Sequence, residues 1–108
     1  MTDIGPYVER MVARFTEAAA ENAALPARVL QLRFTDSGET WVIRYGGGEP
    51  AVSGTEPVEK PDVSVIATTD VLAGIMDKKI NGTMAYMQRK VQIKGAMDEL
   101  LRLQKLIL

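Results

Sequence analysis

The side chains able to do chemistry in this chain are carboxylates, lysines, tyrosines and the serines Ser37, Ser53 and Ser64, because the sequence contains no His and no Cys. A serine–histidine triad, a thiol nucleophile, a disulfide framework and zinc held by imidazole or thiolate are therefore excluded. Only oxygen ligands remain for a metal. Paired carboxylates could act as acid and base, as they do in glycosidases. Here every Asp and Glu falls in an expected turn, at a helix start or on a polar face, with Asp62 and Asp70 reading as strand-edge and capping residues, so solvated structural roles are expected for all of them.

Two further patterns point away from chemistry. Gly46-Gly47-Gly48 would cradle phosphate only if Lys and Ser or Thr followed and opened a helix; Glu49-Pro50 follows instead, so a hairpin turn is expected. Lys78, Lys79, Arg89, Lys90 and Lys94 cluster in sequence, but the net charge is −1 and Tyr86 is the one aromatic among them, which is poor composition for nucleic-acid binding. The sequence thus predicts no catalytic residue, no metal, no cofactor and no nucleic-acid partner.

The elements that must position these residues are legible from periodicity. Ile4, Tyr7, Val8, Met11, Val12, Phe15, Ala18 and Ala19 recur at helical spacing; Thr2 or Asp3 is expected to cap the helix, and Leu25-Pro26 to end it. Leu30, Leu32 and Phe34 then alternate with Gln31, Arg33 and Thr35, and Trp41, Ile43 and Tyr45 with Val42 and Arg44, around an Asp36-Ser37-Gly38-Glu39 turn: a β-hairpin. A short strand around Ala51-Val52, a polar loop from Thr55 to Pro61 and a fourth strand over 62–67 follow. Thr68 or Thr69 is expected to cap a helix that turns Val71, Leu72, Ile75 and Met76 inward. Asn81-Gly82 breaks it, a second short helix covers 83–87, Val91 and Ile93 mark a fifth strand stopped by Gly95, and a final helix runs from Ala96 to the end. Hairpins followed by helices predict an α+β fold, a single domain over 1–108 with helices on one face of a mainly antiparallel sheet.

The chain has 108 residues, 46% hydrophobic and 25% charged, which fits one globular domain. Residues 1–76 hold 6 basic and 11 acidic side chains, against 7 and 3 in residues 77–108. The basic third is either ordinary surface scatter or a face suited to phospholipid or coenzyme A phosphates. It is also rich in Met76, Met84, Met87, Met97, Leu100, Leu101, Leu103, Leu106, Ile107 and Leu108, more apolar area than one helix seam requires. Core packing accounts for most such stripes, but flexible thioethers also suit a surface that accepts variable apolar shapes, from a ligand or a partner. With an acid near the start and no run of about 18 apolar residues, a cytoplasmic protein is expected.

From Thr40-Trp41-Val42-Ile43 onward the chain resembles the sterol carrier protein type-2 family, in its prokaryotic, stand-alone form. The likeness continues through Pro61-Asp62-Val63-Ser64-Val65, Asp70-Val71-Leu72-Ala73-Gly74-Ile75-Met76, Lys79-Ile80-Asn81, Ala85-Tyr86-Met87, and Lys90-Val91-Gln92-Ile93-Lys94-Gly95-Ala96-Met97, to the Leu-rich last helix. It departs at Lys78 and Arg89, where the family has Gly, and at Ala96, where a polar residue is common; the peroxisomal tail of eukaryotic members is missing. The resemblance implies a five-stranded sheet covered by helices and enclosing an apolar tunnel for fatty acids, fatty acyl-CoA, sterols or phospholipids, without catalysis. By family position and apolar character, the expected lining is Trp41, Ile43, Leu72, Ile75, Met76, Met84, Met87, Ile93, Met97, Leu100 and Leu101, with Lys90 and Lys94 as headgroup contacts. A lipid or fatty acyl ligand, transient contact with a membrane surface and a homodimer are the partners that this implies. Two alternatives stay open: an accessory subunit that presents an isoprenoid or other lipid intermediate to enzymes, and an interaction module with a filled core.

Overall fold

The computed structural model describes residues 1–22 and 24–107, the last four of them as backbone only. Leu108 and the side chains of Leu106 and Ile107, part of the expected apolar surplus, lie outside the described residues. The elements run α1 (Gly5–Glu21), β1 (Arg28–Phe34), β2 (Thr40–Gly46), β3 (Glu49–Gly54), β4 (Val63–Ala67), α2 (Thr69–Met76), α3 (Gly82–Met87), β5 (Gln92–Gly95) and α4 (Met97–Ile107). The order matches the periodicity, and the sheet order β3-β2-β1-β4-β5 puts β1 at the centre. Three strand pairs are antiparallel, but β1 and β4 run parallel, with Leu30 opposite Val63 and Phe34 opposite Ala67. Nothing in local periodicity signals that parallel pair, because alternation is the same in either direction.

Alternation sorts the sheet into two unlike faces. Leu30, Leu32 and Phe34 of β1, Ile43 and Tyr45 of β2, and Val63 of β4 are buried on one face, under the helices. On the other face Arg33, Arg44 and Lys94 are exposed. The loop after β3 folds back over part of this outer face, where the Val58 N–H donates to Gln31 Oε1 at 2.8 Å. That bond accounts for a buried glutamine in the central strand, since a buried amide needs a partner.

Helix α1 lies across β2 and β3. Val8, Met11, Phe15 and Ala19, spaced at three and four, are its buried stripe. The Phe15 ring stacks on Tyr45, centroids 4.4 Å apart, and the Thr16 hydroxyl accepts from the Ala51 N–H at 3.0 Å while donating to the Val12 carbonyl. The start of the helix differs from the expected cap. Ile4 occupies the N-cap position without a side-chain hydrogen bond, being fully buried in the core; Asp3 reaches only the Gly5 N–H, at 3.3 Å. Burial of a large apolar side chain outweighs a cap here.

The three glycines make the β2–β3 turn, as expected. Gly47 and Gly48 have φ of +68° and +76° between the paired Gly46 and Glu49, the left-handed pair that a tight hairpin requires. Gly46 is constrained twice: its φ is +87°, and a Cβ there would lie 2.1 Å from the Pro26 carbonyl oxygen, whereas one at Gly48 would meet nothing within 4 Å. Gly46→Ala is therefore expected to cost about 3 kcal/mol or more, since the backbone entering β1 must move, and Gly48→Ala only about 1 kcal/mol. Urea denaturation of the two variants measures the difference; equal losses would show that left-handed φ alone sets the requirement.

Candidate functional site

The residues expected to line a site divide into three groups. Trp41, Ile43, Leu72, Met76, Ile93 and Leu100 meet in one apolar cluster between the sheet and the helices, together with Leu32, Phe15 and Leu103. Ile75 belongs to a smaller cluster around Ala67, Ala85 and Val91, which Val65 and Ile93 join to the first. Met84, Met87, Met97 and Leu101 are 50%, 71%, 70% and 54% exposed and take no part in either cluster.

Helical geometry accounts for the split. In α2, Leu72 and Met76 lie one turn apart and face the sheet, while Ile75 is turned toward the smaller cluster. In α3 only Ala85 is buried, which leaves its neighbours Met84, Tyr86 and Met87 outside. Among the described side chains of α4 the buried positions are Glu99 and Leu103, with Leu100 half-buried, and Met97 and Leu101 are exposed. Sequence reasoning missed Val65 as the link between clusters, and it placed all acids in solvent.

Glu99 corrects that expectation. It is 6% exposed on the inner side of α4, where Oε1 accepts from Arg28 Nε at 2.8 Å and from Arg102 Nη1 at 3.1 Å. The two guanidiniums make burial of the carboxylate tolerable. Its Oε2 has no partner among the described residues. Beside this group, burial first and then the Glu99 and Asp62 charges push the Tyr45 hydroxyl up to about 12, so the phenol stays neutral.

Helix α2 is fixed by two carboxylates at its ends. The Thr68 hydroxyl caps it by accepting from the Val71 N–H, and Thr69 donates through its N–H and hydroxyl to Asp36, at 3.0 and 2.6 Å. Past its other end, Asp77 accepts from the Tyr7 hydroxyl at 2.6 Å and from Arg10 at 3.1 Å, joining α1 to α2.

Two open clefts lie at the outer face and one end of the sheet. One of about 420 Å³ is lined by Thr35, Ile66, Ala67, Thr68, Val71, Arg89, Lys90 and Gln92. Another of about 400 Å³ is lined by Gln31, Glu59, Lys60, Pro61, Ser64, Lys94 and Gly95. Lys90 and Lys94 thus line different clefts and are not brought together. No helix among the described residues is long and apolar enough to cross a membrane.

Comparison with known proteins places this fold in a family. The profile of the SCP-2 sterol transfer family matches residues 8–108. The chain belongs to the SCP-2 sterol transfer family. It is 33% identical over 72 residues to human hydroxysteroid dehydrogenase-like protein 2, a match that covers 67% of this chain but spans only 17% of that relative's length. Palmitated sterol carrier protein 2-like 2 from Aedes aegypti superposes with a TM-score of 0.74 at 24% identity, covering 98% of this chain and 95% of that one. A double mutant of a sec-alkylsulfatase from Pseudomonas sp. also gives 0.74, at 19% identity, over 94% of this chain and 16% of the enzyme.

The departures at Lys78 and Arg89 keep the backbone that glycine would adopt: their φ angles are +62° and +61°. Both residues follow the end of a short helix, α2 and α3 respectively, where a left-handed residue commonly closes the last turn.

The two α2 clasps make acid stability sensitive to pH. The Thr69 hydroxyl holds the Asp36 carboxyl below its ordinary value, and the Tyr7 hydroxyl, then Arg10, does so for Asp77. For depressed carboxylates the stabilisation is complete above the unfolded value of about 3.9 and is lost as pH falls through the lower folded value. Asp77→Asn is expected to unfold at lower denaturant than the wild type at neutral pH, with the gap closing in strong acid. A gap that stays constant with pH would remove the charged clasp from the account.

Proposed function

We propose that this chain binds and carries hydrophobic ligands without catalysing a reaction on them: fatty acids, fatty acyl-CoA, sterol-like molecules or phospholipids, held between the sheet and its helical cover. The observation that carries the reading is the convergence of Trp41, Ile43, Leu72, Met76, Ile93 and Leu100 in one apolar cluster beneath α2 and α4. The palmitated Aedes aegypti relative, with the same fold over nearly the whole chain, supports a fatty acyl ligand.

The driving force follows from burial, about 0.8 kcal/mol for each methylene taken from water. Selectivity between chains is weak for the same reason, since one methylene more or less changes binding little. Entry needs the cover to move, because the apolar face is filled by the protein's own side chains. Helix α4 closes one side of the cluster, lying against α1 and tied to β1 through Arg28 and Glu99. Trp41, the sole tryptophan, stands half-buried in the cluster and reports on what enters.

A second reading, presentation of a bound lipid to an enzyme, draws on the sulfatase and the dehydrogenase-like relative, where this fold is a small fraction of a larger chain. It shares the same ligand site and differs in the partner.

Titration with a fluorescent fatty acid, read by energy transfer from Trp41, is expected to give saturable one-to-one binding. Leu100→Ala, which trims the cluster, is expected to weaken it about tenfold, and Val52→Ala on the exposed side of β3 to leave it unchanged. Absence of binding, with a size that grows with concentration, would assign the chain to the interaction-module class instead.

A further inference from the structure

Helix α3 shows the opposite of what a helix of a small protein needs. Ala85 is its one buried residue, while Met84, Tyr86 and Met87 are 50%, 55% and 71% exposed. Three large apolar side chains on six residues of helix are therefore offered to solvent. In the flanking sequence the charge is of one sign. From residue 78 to residue 97 the sequence holds Lys78, Lys79, Arg89, Lys90 and Lys94 and no acidic residue. The preceding acid, Asp77, is already engaged by Tyr7 and Arg10.

Two of these cations sit where the backbone opposes them. Lys78 and Arg89, with φ of +62° and +61°, are the two non-glycine residues with positive φ among the described residues. They bracket α3 on either side, and the left-handed region is unfavourable for any residue with a Cβ. Arg89 and Lys90 also line the cleft of about 420 Å³, beside the hydroxyl-bearing Thr35 and Thr68 and over the apolar Ile66 and Val71. Cations in the turns on either side of exposed apolar side chains are the chemistry of an interfacial anchor: apolar groups enter the acyl boundary and Lys and Arg meet lipid phosphates.

We propose that α3 and its flanking turns dock this protein on an anionic lipid bilayer, Met84, Tyr86 and Met87 entering the headgroup boundary and Lys78, Lys79, Arg89 and Lys90 contacting phosphates. The proposal goes beyond ligand carriage and does not presuppose it, because attachment to vesicles and uptake of a fatty acid are separate measurements that fail separately.

The left-handed turns supply a variant whose fold is expected to hold. In Lys78→Gly/Arg89→Gly the left-handed turns are relieved, so thermal stability is expected to rise or hold, while two charges leave the docking face. Co-flotation of the intact chain with phosphatidylcholine vesicles, and with phosphatidylcholine–phosphatidylglycerol vesicles, reads the effect. The wild type is expected to bind the anionic vesicles, to bind neutral ones far less, and to be released by added salt. Each lost charge is expected to lower partitioning about fivefold, or roughly 25-fold for the pair. Met87→Ser is expected to weaken binding several-fold without changing its salt dependence. Equal binding to both vesicle types, or a glycine double variant that binds as well as the wild type, would overturn the proposal. So would a concentration-dependent dimer that Met87→Ser dissolves, which would assign the face to a second copy of the chain.

Discussion

One face of the central strand has to be kept from water, and the rest of the molecule is arranged to do it. Leu30, Leu32 and Phe34 of β1 point to the same side, with Ile43 opposite Leu30 on one neighbour and Val63 opposite it on the other. A strip that wide cannot be covered by one helix about 10 Å across. Helix α1 takes the β2–β3 side of the sheet, α2 and α4 add Leu72 and Leu103 to the same cluster, and α3 contributes little more than Ala85 to the smaller one.

Apolar contact gives this cover its free energy but little positional information, so polar anchors at the rim set where each helix lies. Asp36 and Asp77 hold the two ends of α2, and Thr16 ties α1 to β3. Helix α4 depends on Glu99, a buried carboxylate shared by two arginines. Breaking a buried pair is costly, while apolar surfaces re-pack with little penalty when their volume is refilled. In the proposed carriage, an acyl chain of similar shape would take the place of some of these side chains while the rim anchors stay in position. Met76, with its flexible thioether, and Leu100 are partly buried members of that cluster.

Much of this was legible in the residues. The 3.6 and 2.0 periods placed the long helices and the first two strands, Glu49-Pro50 after three glycines indicated a hairpin, and Thr68 caps the helix that follows it; Asn81, read only as a breaker, caps the next one. The parallel register of β4 on β1 was not legible, because alternation carries no direction. In the site, Trp41, Ile43, Leu72 and Met76 were named by family position and apolar character, and they share one cluster; spacing alone did not say which face of β2 turns inward. The last third was harder to read. Apolar character alone could not separate Leu100, which packs inward, from Leu101, which does not, and a charged Glu99 on the buried stripe runs against the pattern. Only the positions of Arg28 and Arg102 make that burial intelligible, and Arg28 lies 71 residues away in sequence. At Lys78 and Arg89 neither side chain announces a left-handed backbone, and the glycines that the family has there were the one signal of it.

Carriage of a ligand on the helix-covered face is tested most directly by nuclear Overhauser contacts between isotope-labelled palmitate and the methyl groups of the protein. The expected result is contact with Ile43, Leu72, Ile93 and Leu100, beneath the helices. Contacts confined to Ile66 and Val71 in the open cleft, or to Val52 on the opposite side of the sheet, would contradict it.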